Sequence, residues 1–482
     1  MWSGETVFRQ TPSPPIYFCE LLILCVANAA FIGASMTKKS NSFNEQDKKR
    51  LLEIAKNILI AFADGAMKSG DHVSSNRIAM FGLSLFDEFW VNYTETFVNE
   101  RRKFTALAAK MLKARAAHES TIDNFCLNAG KEYVKQIATS ADGQQVSIER
   151  AAQHLVDEVL SEAGKEYIHI LPNFLILHEV ADIIALGRVR SMRTELAKDN
   201  TMLSRHPKIK LEVMPGLDQQ WGDEERVLHM PQSVWVVEVP ATKENVDEEA
   251  KWLIDVALSL MRLSASKWAH MRPDAGEQEP HPTLPPQFTI PTVMIEGDWV
   301  LAGGVEWPKI YRVNHEVVAE LAASSTQSRA ATLFDAIDGT LAKQVARGLG
   351  WMSRGRRATD RAEKLLFFFT ALEALMSSGD KDSPITQTIS RYASVIYTPD
   401  VKMRVEVFKR IKSLYGMRSA TVHSGMREVL GDDVRDLQFI IENVFWSVLN
   451  YCDLKMVHKK FIESLADASH GLRWEFAGVT DD

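Results

Sequence analysis

The sequence predicts a predominantly helical α+β protein with a helical N-terminal part, a mixed α/β middle region and a C-terminal up-and-down bundle of four or five helices. Apolar residues recur at helical spacing in residues 45–135 and again from about residue 324 onward, whereas residues 208–213 alternate as a half-buried strand does. A proline-rich stretch at residues 271–286 predicts a loop or linker within the middle region.

The chain divides into five predicted segments: an apolar leader or upstream extension (1–36), a helical N-terminal region (37–200), a mixed α/β region (201–320), the C-terminal bundle (325–470) and a tail (471–482). Within the helical N-terminal region, residues 147–196 are predicted to continue as helix. In the mixed region we expect a helix at residues 244–263 and strands at residues 208–213, 233–239, 288–295, 299–305 and 310–313.

The overall composition is that of a soluble globular protein, with 46% hydrophobic and 25% charged residues. The four cysteines lie far apart and include no Cys-x-x-Cys pair. This spacing argues against a disulfide scaffold or a cysteine-based zinc site and fits a reducing compartment. The sequence also contains no other metal-ligand cluster and no Walker A motif, so it predicts neither a metal nor a cofactor.

Charge is distributed unevenly along the chain, whose net charge is -7. Residues 351–427 contain 14 Lys and Arg against 7 Asp and Glu, a local excess of +7. A basic stretch within an acidic protein can mark a phosphate-binding surface. A set of solvated helix faces explains the same count equally well.

The N-terminus contains an apolar run, residues 21–34 (LLILCVANAAFIGA), which is uncharged but short for a membrane span. Arg9 is the only basic residue before it, so the sequence gives weak support for a secretory signal. A signal-like or membrane-associated leader is one interpretation. The other, which we favour, is an upstream extension with translation starting at Met36, which predicts a cytoplasmic protein without stable membrane insertion.

The segment 361–376 is apolar nearly all round and is therefore predicted to be the central buried helix of the C-terminal bundle. Glu373 within it needs a partner, because an ionised carboxylate in an apolar helix is costly when unpaired. We expect Glu373 to be structural and to pair with an arginine such as Arg391 or Arg418. The inward stripes predicted for two later helices are Val405, Phe408, Ile411 and Tyr415, and Val434, Leu437, Ile441, Val444, Val448 and Cys452.

The helix that contains Tyr415 ends in side chains suited to phosphate chemistry: Arg418, Ser419 and His423. Ser419 and His423 share a helix face, whereas Arg418 and His423 are rotated from each other by about 140°. Arg418 is a cation that can bind phosphate bidentately, and the imidazole of His423 can move a proton near neutral pH. The alternative is that both residues only stabilise the C-terminus of a helix through its dipole.

Several blocks in this order resemble the HEPN superfamily, specifically its ApeA-like branch. They are residues 360–366 (DRAEKLL), 370–376 (TALEALM), 389–393 (ISRYA) and 414–423 (LYGMRSATVH), of which the last resembles the family's Arg-x4-His signature. The resemblance covers roughly residues 325–465, under a third of the chain. One departure is Ser424 directly after His423, where relatives often have glycine; here the glycine follows at position 425.

The resemblance implies a metal-independent endoribonuclease of a kind that serves as a toxin or in antiphage defence. A ribose 2′-hydroxyl would attack the adjacent phosphodiester and leave a 2′,3′-cyclic phosphate. Arg418 would stabilise the charge of the phosphorane, His423 would act as general base or acid, and Ser419 would orient the histidine or the phosphate. Such domains usually pair, which implies a homodimer in which two motifs form one cleft that binds RNA.

Further expectations concern the role of the HEPN-like module and the rest of the protein. A non-catalytic HEPN module that binds RNA or a protein partner is the alternative to the nuclease. By analogy with defence effectors, a phage-derived or cellular trigger would act on the N-terminal or middle region. Trp235, Trp252, Trp299 and Trp307 could form a ligand patch there, although core packing is the favoured interpretation.

Overall fold

A computed structural model describes the protein at residues 43–68, 83–85, 89–91, 94–112, 119–139, 146–162, 165–201, 203, 209–213, 226–242, 245–265, 268, 289–293, 300–304, 311–377, 385–425, 428–472 and 474. The chain is mostly helical, with a small antiparallel sheet in the middle. The predicted leader (1–36) and the proline-rich stretch (271–286) lie outside the described residues, as do Trp299 and Trp307.

The N-terminal region contains helices α1 (Glu45–Asp64), α2 (Glu95–Leu112), α3 (Glu119–Thr139) and α4 (Ile148–Ser161). They pack around an apolar core of their own, in which the Phe62 and Phe97 rings meet edge to face at 5.3 Å. The side chains of Asn44 and Ser147 begin α1 and α4 by accepting hydrogen bonds from first-turn amides. The prediction of helix is confirmed for these segments.

Three short strands interrupt the region predicted to be helical: β1 (Ala66–Lys68), β2 (Leu83–Leu85) and β3 (Phe89–Val91). They pair antiparallel in the order β1-β3-β2. The prediction of continuous helix through residues 45–135 is therefore wrong at these strands. Each strand has three residues, which is too few to show an alternating pattern in the sequence.

The central sheet consists of β4 (Tyr167–Asn173), β6 (Ile183–Leu186), β7 (Val189–Arg193) and β10 (Ser233–Val239). Neighbouring strands are antiparallel, in the order β4-β10-β7-β6. The helix predicted for residues 147–196 is wrong beyond Ser161, apart from the single turn of α5 (Thr194–Ala197). β4 is stabilised by pairing with the distant β10, and such non-local pairing leaves no local signal in the sequence.

Buried polar side chains connect β4, β7 and β5 (Ile176–His178). The Oγ atom of Ser191 lies 2.9 Å from Asn173 Nδ2 and 2.8 Å from His178 Nε2. His178 Nδ1 lies 2.8 Å from the carbonyl oxygen of Ala181, and burial lowers the pKa of this histidine. His178 and Ser191 are therefore a satisfied structural pair, because buried polar groups need such partners.

The other strands form pairs. β5 pairs in parallel with β13 (Tyr311–Val313), β8 (Ile209–Val213) pairs in parallel with β9 (Arg226–Met230), and β11 (Thr289–Val293) pairs antiparallel with β12 (Val300–Gly304). The five strands predicted for the mixed region are confirmed by β8, β10, β11, β12 and β13. β9 was not predicted.

The helix α6 (Val246–Ser264) lies between the central sheet and the C-terminal helices and confirms the helix predicted at residues 244–263. Every residue from Leu253 to Leu263 is buried, so this part of the helix is covered around its whole circumference. Because α6 contacts both parts, one apolar core runs from Leu175 to Trp474. Trp235 belongs to this core, as predicted, whereas Trp252 is half-buried at its edge.

The C-terminal part contains α7 (His315–Ala322), α8 (Ser324–Phe334), α9 (Leu341–Arg357), α10 (Arg361–Met376), α11 (Ile385–Tyr397), α12 (Val401–Ser424), α13 (Gly431–Tyr451) and α14 (His458–Ser469). α10 contacts α9, α11, α12 and α13, which confirms its predicted central position. The carboxylates of Asp360 and Asp400 begin α10 and α12 by accepting first-turn amide hydrogen bonds.

The predicted inward stripe of α13 is confirmed at Val434, Leu437, Ile441, Val444 and Val448, which are all buried. Cys452, the last predicted member, follows the end of the helix and is only half-buried. The stripe predicted for α12 is partly wrong. Val405 is 48% exposed, and Val407 and Leu414 are buried beside Ile411 and Tyr415. The buried positions Val407, Ile411, Leu414 and Tyr415 keep helical spacing but define a face that is rotated from the predicted one.

Two glycines let aromatic rings approach the backbone of α9. A Cβ atom at Gly348 would lie 2.2 Å from Phe445, and one at Gly350 would lie 2.5 Å from Trp252. These glycines cost helix propensity but permit close packing of α9 against α13 and α6.

Two buried arginines share one carboxylate in this core. Arg262 Nε on α6 and Arg356 Nη1 on α9 lie 3.0 and 3.3 Å from Glu442 Oε1 on α13. The amide of Gln438 donates to the same oxygen at 2.7 Å. The cluster connects three helices through charge-assisted hydrogen bonds.

Candidate active site

The segment that carries the predicted motif is the last two turns of α12. The helix continues to Ser424 and ends at Gly425, whose backbone has φ +66° and whose N–H contacts the carbonyl oxygens of Ala420 and Thr421. Glycine suits this left-handed position. Arg418 and His423 therefore lie on one regular helix, separated by about 7.5 Å of rise and about 140° of rotation.

Arg418 points toward α10. Its Nη2 atom lies 3.2 Å from Glu373 Oε1 and 3.4 Å from Glu373 Oε2, and its Cζ atom lies 5.3 Å from the centre of the Tyr415 ring. Its side chain is 20% exposed. The Nε atom is buried without a hydrogen-bond partner among the residues that the structure describes. Arg418 is thus held in place but keeps a buried donor that no described group satisfies.

Tyr415 completes this cluster. Its hydroxyl donates to Glu373 Oε1 at 2.8 Å, and its ring packs edge to face against Phe369 at 4.9 Å. Burial raises the pKa of Tyr415 to about 12, assisted by the hydrogen bond to Glu373 and the charge of that carboxylate, and opposed by Arg418. Tyr415 therefore stays protonated at neutral pH and acts as a hydrogen-bond donor.

Of the two arginine partners expected for Glu373, the structure pairs the carboxylate with Arg418. Arg391 is exposed on α11, and within the described ranges it forms no ion pair with a carboxylate. Glu373, Tyr415 and Arg418 thus form one cluster between α10 and α12, from which Arg391 is absent.

His423 and Ser419 lie on a different side of α12. His423 is exposed and Ser419 is half-buried. With Lys412 and Gly416 they occupy positions i, i+4, i+7 and i+11, which fall within about 60° of one another on a helix. Lys412 is exposed, and a Cβ atom at Gly416 would meet nothing within 4 Å. We call these four residues the α12 stripe; it presents a cation, an open backbone position, a hydroxyl and an imidazole along one exposed face.

The local excess of basic residues does not form one patch. Arg356 is buried against Glu442, and Arg410 Nη2 contacts Asp433 and Asp436 at 2.8 and 2.7 Å. Lys409 and Lys412 are exposed on α12. The basic residues of this region are therefore divided between arginines that are paired with carboxylates and lysines on solvated helix faces.

Sequence reasoning overlooked the basic residues at the end of α9. The run Arg354-Gly355-Arg356-Arg357 indicates a basic cluster, but the prediction used these residues only in the count of charges over residues 351–427. The structure separates these arginines, placing Arg354 and Arg357 against Asp255 and Arg356 against Glu442.

Comparison with models of known protein families found no match for this chain. Searches among curated proteins and among solved structures also found no match. Among the described residues, no helix combines the length and the apolar character needed to cross a membrane. The apolar run at residues 21–34 lies outside that part of the chain.

Proposed function

We propose that residues 325–465 form a HEPN-type bundle and that the protein is an endoribonuclease that uses Arg418 and His423. The observation that carries the proposal is the α12 stripe, which aligns Lys412, Ser419 and His423 on one exposed face. Lysine attracts the phosphate backbone of RNA, and an exposed imidazole is free to transfer a proton. The order of the sequence blocks that resemble the HEPN superfamily supports the same proposal.

The reaction needs no group beyond those of RNA and the protein. The ribose 2′-oxygen forms a bond to phosphorus, the bond from phosphorus to the 5′-oxygen breaks, and the products are a 2′,3′-cyclic phosphate and a 5′-hydroxyl. A base accepts the 2′-hydroxyl proton, and an acid donates a proton to the departing oxygen. His423 is suited to either step because the ordinary pKa of histidine lies near neutral pH.

The role of Arg418 is to stabilise the negative charge that builds up on the phosphoryl oxygens. Its guanidinium pairs with Glu373 on α10 and lies against the ring of Tyr415 on α12. Within one chain, the side chains of Arg418 and His423 point about 140° apart around α12, so a single chain brings few catalytic groups to one place. We propose that a homodimer places two motif segments face to face, so that one His423 can act as base while the other acts as acid.

The test is incubation of the purified full chain with total RNA in EDTA, followed by mapping of the product ends. We expect 2′,3′-cyclic phosphate ends from the unchanged chain and loss of cleavage by at least about a hundredfold in His423→Ala, since general acid–base catalysis contributes about 10²–10⁴. His470→Ala removes another exposed histidine and is the matched control, with unchanged cleavage expected.

Two results would contradict the proposal. Strict dependence on a divalent metal would exclude the mechanism above, and full activity in His423→Ala would exclude this residue. A chain that binds RNA with no cleavage at all would instead support the non-catalytic HEPN module. For a role as a toxin or antiphage effector, expression should arrest cell growth, and His423→Ala should relieve the arrest.

A further inference from the structure

A second concave site lies between α6 and the junction of α9 with α10. Its cavity measures about 490 Å³ and is lined by Lys251, Asp255, Arg354, Arg357, Ala358 and Phe367. This volume is in the range of sites for small ligands, about 300–1,000 Å³. The lining contains three cations and one carboxylate, and Lys251 also contacts Asp247 at 2.8 Å.

The buried carboxylate of Asp255 holds the arginines at this cavity in position. Asp255 is fully buried and accepts a hydrogen bond from Ser353 Oγ at 2.9 Å. Arg357 contacts its Oδ1 atom, and Arg354 Nε lies 3.4 Å from its Oδ2 atom. The side chains of Arg354 and Arg357 remain 34% and 24% exposed. A buried carboxylate thus orders two partly exposed guanidinium groups, which is how a phosphate-binding site is preorganised.

Aromatic rings form the adjoining wall. The Cζ atom of Arg354 lies 4.9 Å from the centre of the Trp252 ring and 5.2 Å from that of Trp351. Trp351 stacks on Phe367 at 5.6 Å with 20° between the ring planes. Phe367 also lines the cavity and is half-buried, so its exposed part is available to a ligand.

We propose that this cleft binds a free nucleotide, with its phosphate on Arg354 and Arg357 and its base against Phe367. Arginine forks match phosphate oxygens bidentately, and aromatic rings stack with any base. A cavity of about 490 Å³ suits one nucleotide better than a strand. Phe367 and Glu373 point about 120° apart around α10, so the cleft and the Arg418 cluster lie on different sides of this helix. The inference is therefore independent of the proposed nuclease activity.

The experiment is calorimetric titration of the full chain with AMP, ADP, ATP and inorganic phosphate, together with thermal melting in their presence. We expect saturable binding of at least one nucleotide and a rise in Tm, since a ligand that binds the folded state stabilises it. Arg354→Gln and, separately, Phe367→Leu should weaken binding at least about tenfold. Arg347→Gln removes an exposed arginine from the same helix and should bind as the unchanged chain does.

Several outcomes overturn the proposal. One is no saturable nucleotide binding at concentrations on the order of 1 mM. Another is nucleotide binding that neither Arg354→Gln nor Phe367→Leu weakens, while both chains melt like the unchanged protein. Inorganic phosphate binding as tightly as AMP would exclude recognition of the base. The last measurement titrates a short RNA oligonucleotide into the His423→Ala chain. If this RNA binds and none of the nucleotides does, a free nucleotide is excluded as the ligand of the cleft.

Discussion

The guanidinium of Arg418 lies 3.2 Å from the carboxylate of Glu373, which joins α12 to the central helix α10. Both side chains are about a fifth exposed, so water screens the pair less than it would at the surface. The same carboxylate accepts the hydroxyl of Tyr415 at 2.8 Å. Glu373 therefore orders two side chains of the motif segment at once.

Replacing Glu373 with glutamine should destabilise the C-terminal helices. The change keeps the shape of the side chain but leaves Arg418 without its counter-charge and weakens the acceptor for Tyr415. We expect a loss of about 1–3 kcal/mol, because hydrogen bonds to charged groups and partly buried ion pairs are of this order. Urea denaturation measures the loss, and any decrease in RNA cleavage should follow the unfolded fraction.

Glu363→Gln is the matched control, since it makes the same change at an exposed position of the same helix. It should change stability by less than about 0.5 kcal/mol. If Glu373→Gln instead melts like the unchanged chain and fails to cleave RNA, then Glu373 positions Arg418 for catalysis and its structural role is wrong.

Two glycines in helices should respond to alanine in opposite directions. At Gly348 the added Cβ would lie 2.2 Å from Phe445, so Gly348→Ala should cost about 1–3 kcal/mol through overpacking. At Gly416 the Cβ would meet nothing within 4 Å, so Gly416→Ala should gain about 0.5–1 kcal/mol of helix propensity. Thermal melting of both variants checks the signs. Equal effects at the two sites would refute the packing described for α9 and α13.

The stability contributed by Asp255 should depend on pH. Burial raises the pKa of Asp255 to about 6 from an ordinary value of 3.8, against the opposing effects of Arg357, Ser353 and Arg354. Between these values the folded state holds a proton that the unfolded state has lost, so this contribution is present below about pH 4 and disappears as the pH rises through about 6.

The stability of the unchanged chain relative to Asp255→Asn should therefore be largest near pH 4 and fall by roughly 1–3 kcal/mol by pH 7. Urea denaturation of both chains at several pH values measures this difference. Asp338→Asn, at an exposed aspartate, should show no such trend. A difference that grows with pH would mean that the arginines outweigh burial and lower the pKa of Asp255.

The proposed homodimer should be sensitive to a charge beside His423. Val422 is 50% exposed at the end of α12, which makes it available for contact with a second copy. Val422→Asp would bury a carboxylate in that contact, so we expect monomers in analytical ultracentrifugation and at least about tenfold less cleavage. Val405→Asp is the control, because Val405 is similarly exposed near the other end of α12. A monomeric unchanged chain that still cleaves RNA would exclude the dimer.

The parts of the fold that could be predicted from the sequence are those with local periodicity. The helical character from about residue 324 onward and the buried stripe of α13 follow from apolar spacing, although the described part of that region contains seven helices, α8 to α14, where four or five were predicted. The strands β4 to β7 did not follow, because β5, β6 and β7 have only three to five residues, β4 contains Pro172, and β4 and β7 pair with the distant β10. The helix predicted for residues 147–196 included these strands because no local sequence signal marked the end of the helix at Ser161.

For the candidate site, an arginine beside Glu373 could be predicted from the sequence, but the choice between Arg391 and Arg418 could not. The choice depends on how α11 and α12 are rotated against α10, which is a property of packing. The cleft beside Asp255 was beyond prediction for the same reason, since α6 and α9 are far apart in the chain. Only the tertiary fold brings their charges together.

The position of α6 determines what a protease could release from this protein. α6 buries Ser259 Oγ against the backbone carbonyl of Leu349 at 2.7 Å and Arg262 against Glu442, so it forms part of the wall of the C-terminal helices. A fragment that begins after the proline-rich stretch would lose this wall and expose apolar surface of α9 to water. We therefore expect cleavage within residues 271–286 to leave a nicked, associated pair of fragments, and dissociation of that pair to end in aggregation of the C-terminal fragment.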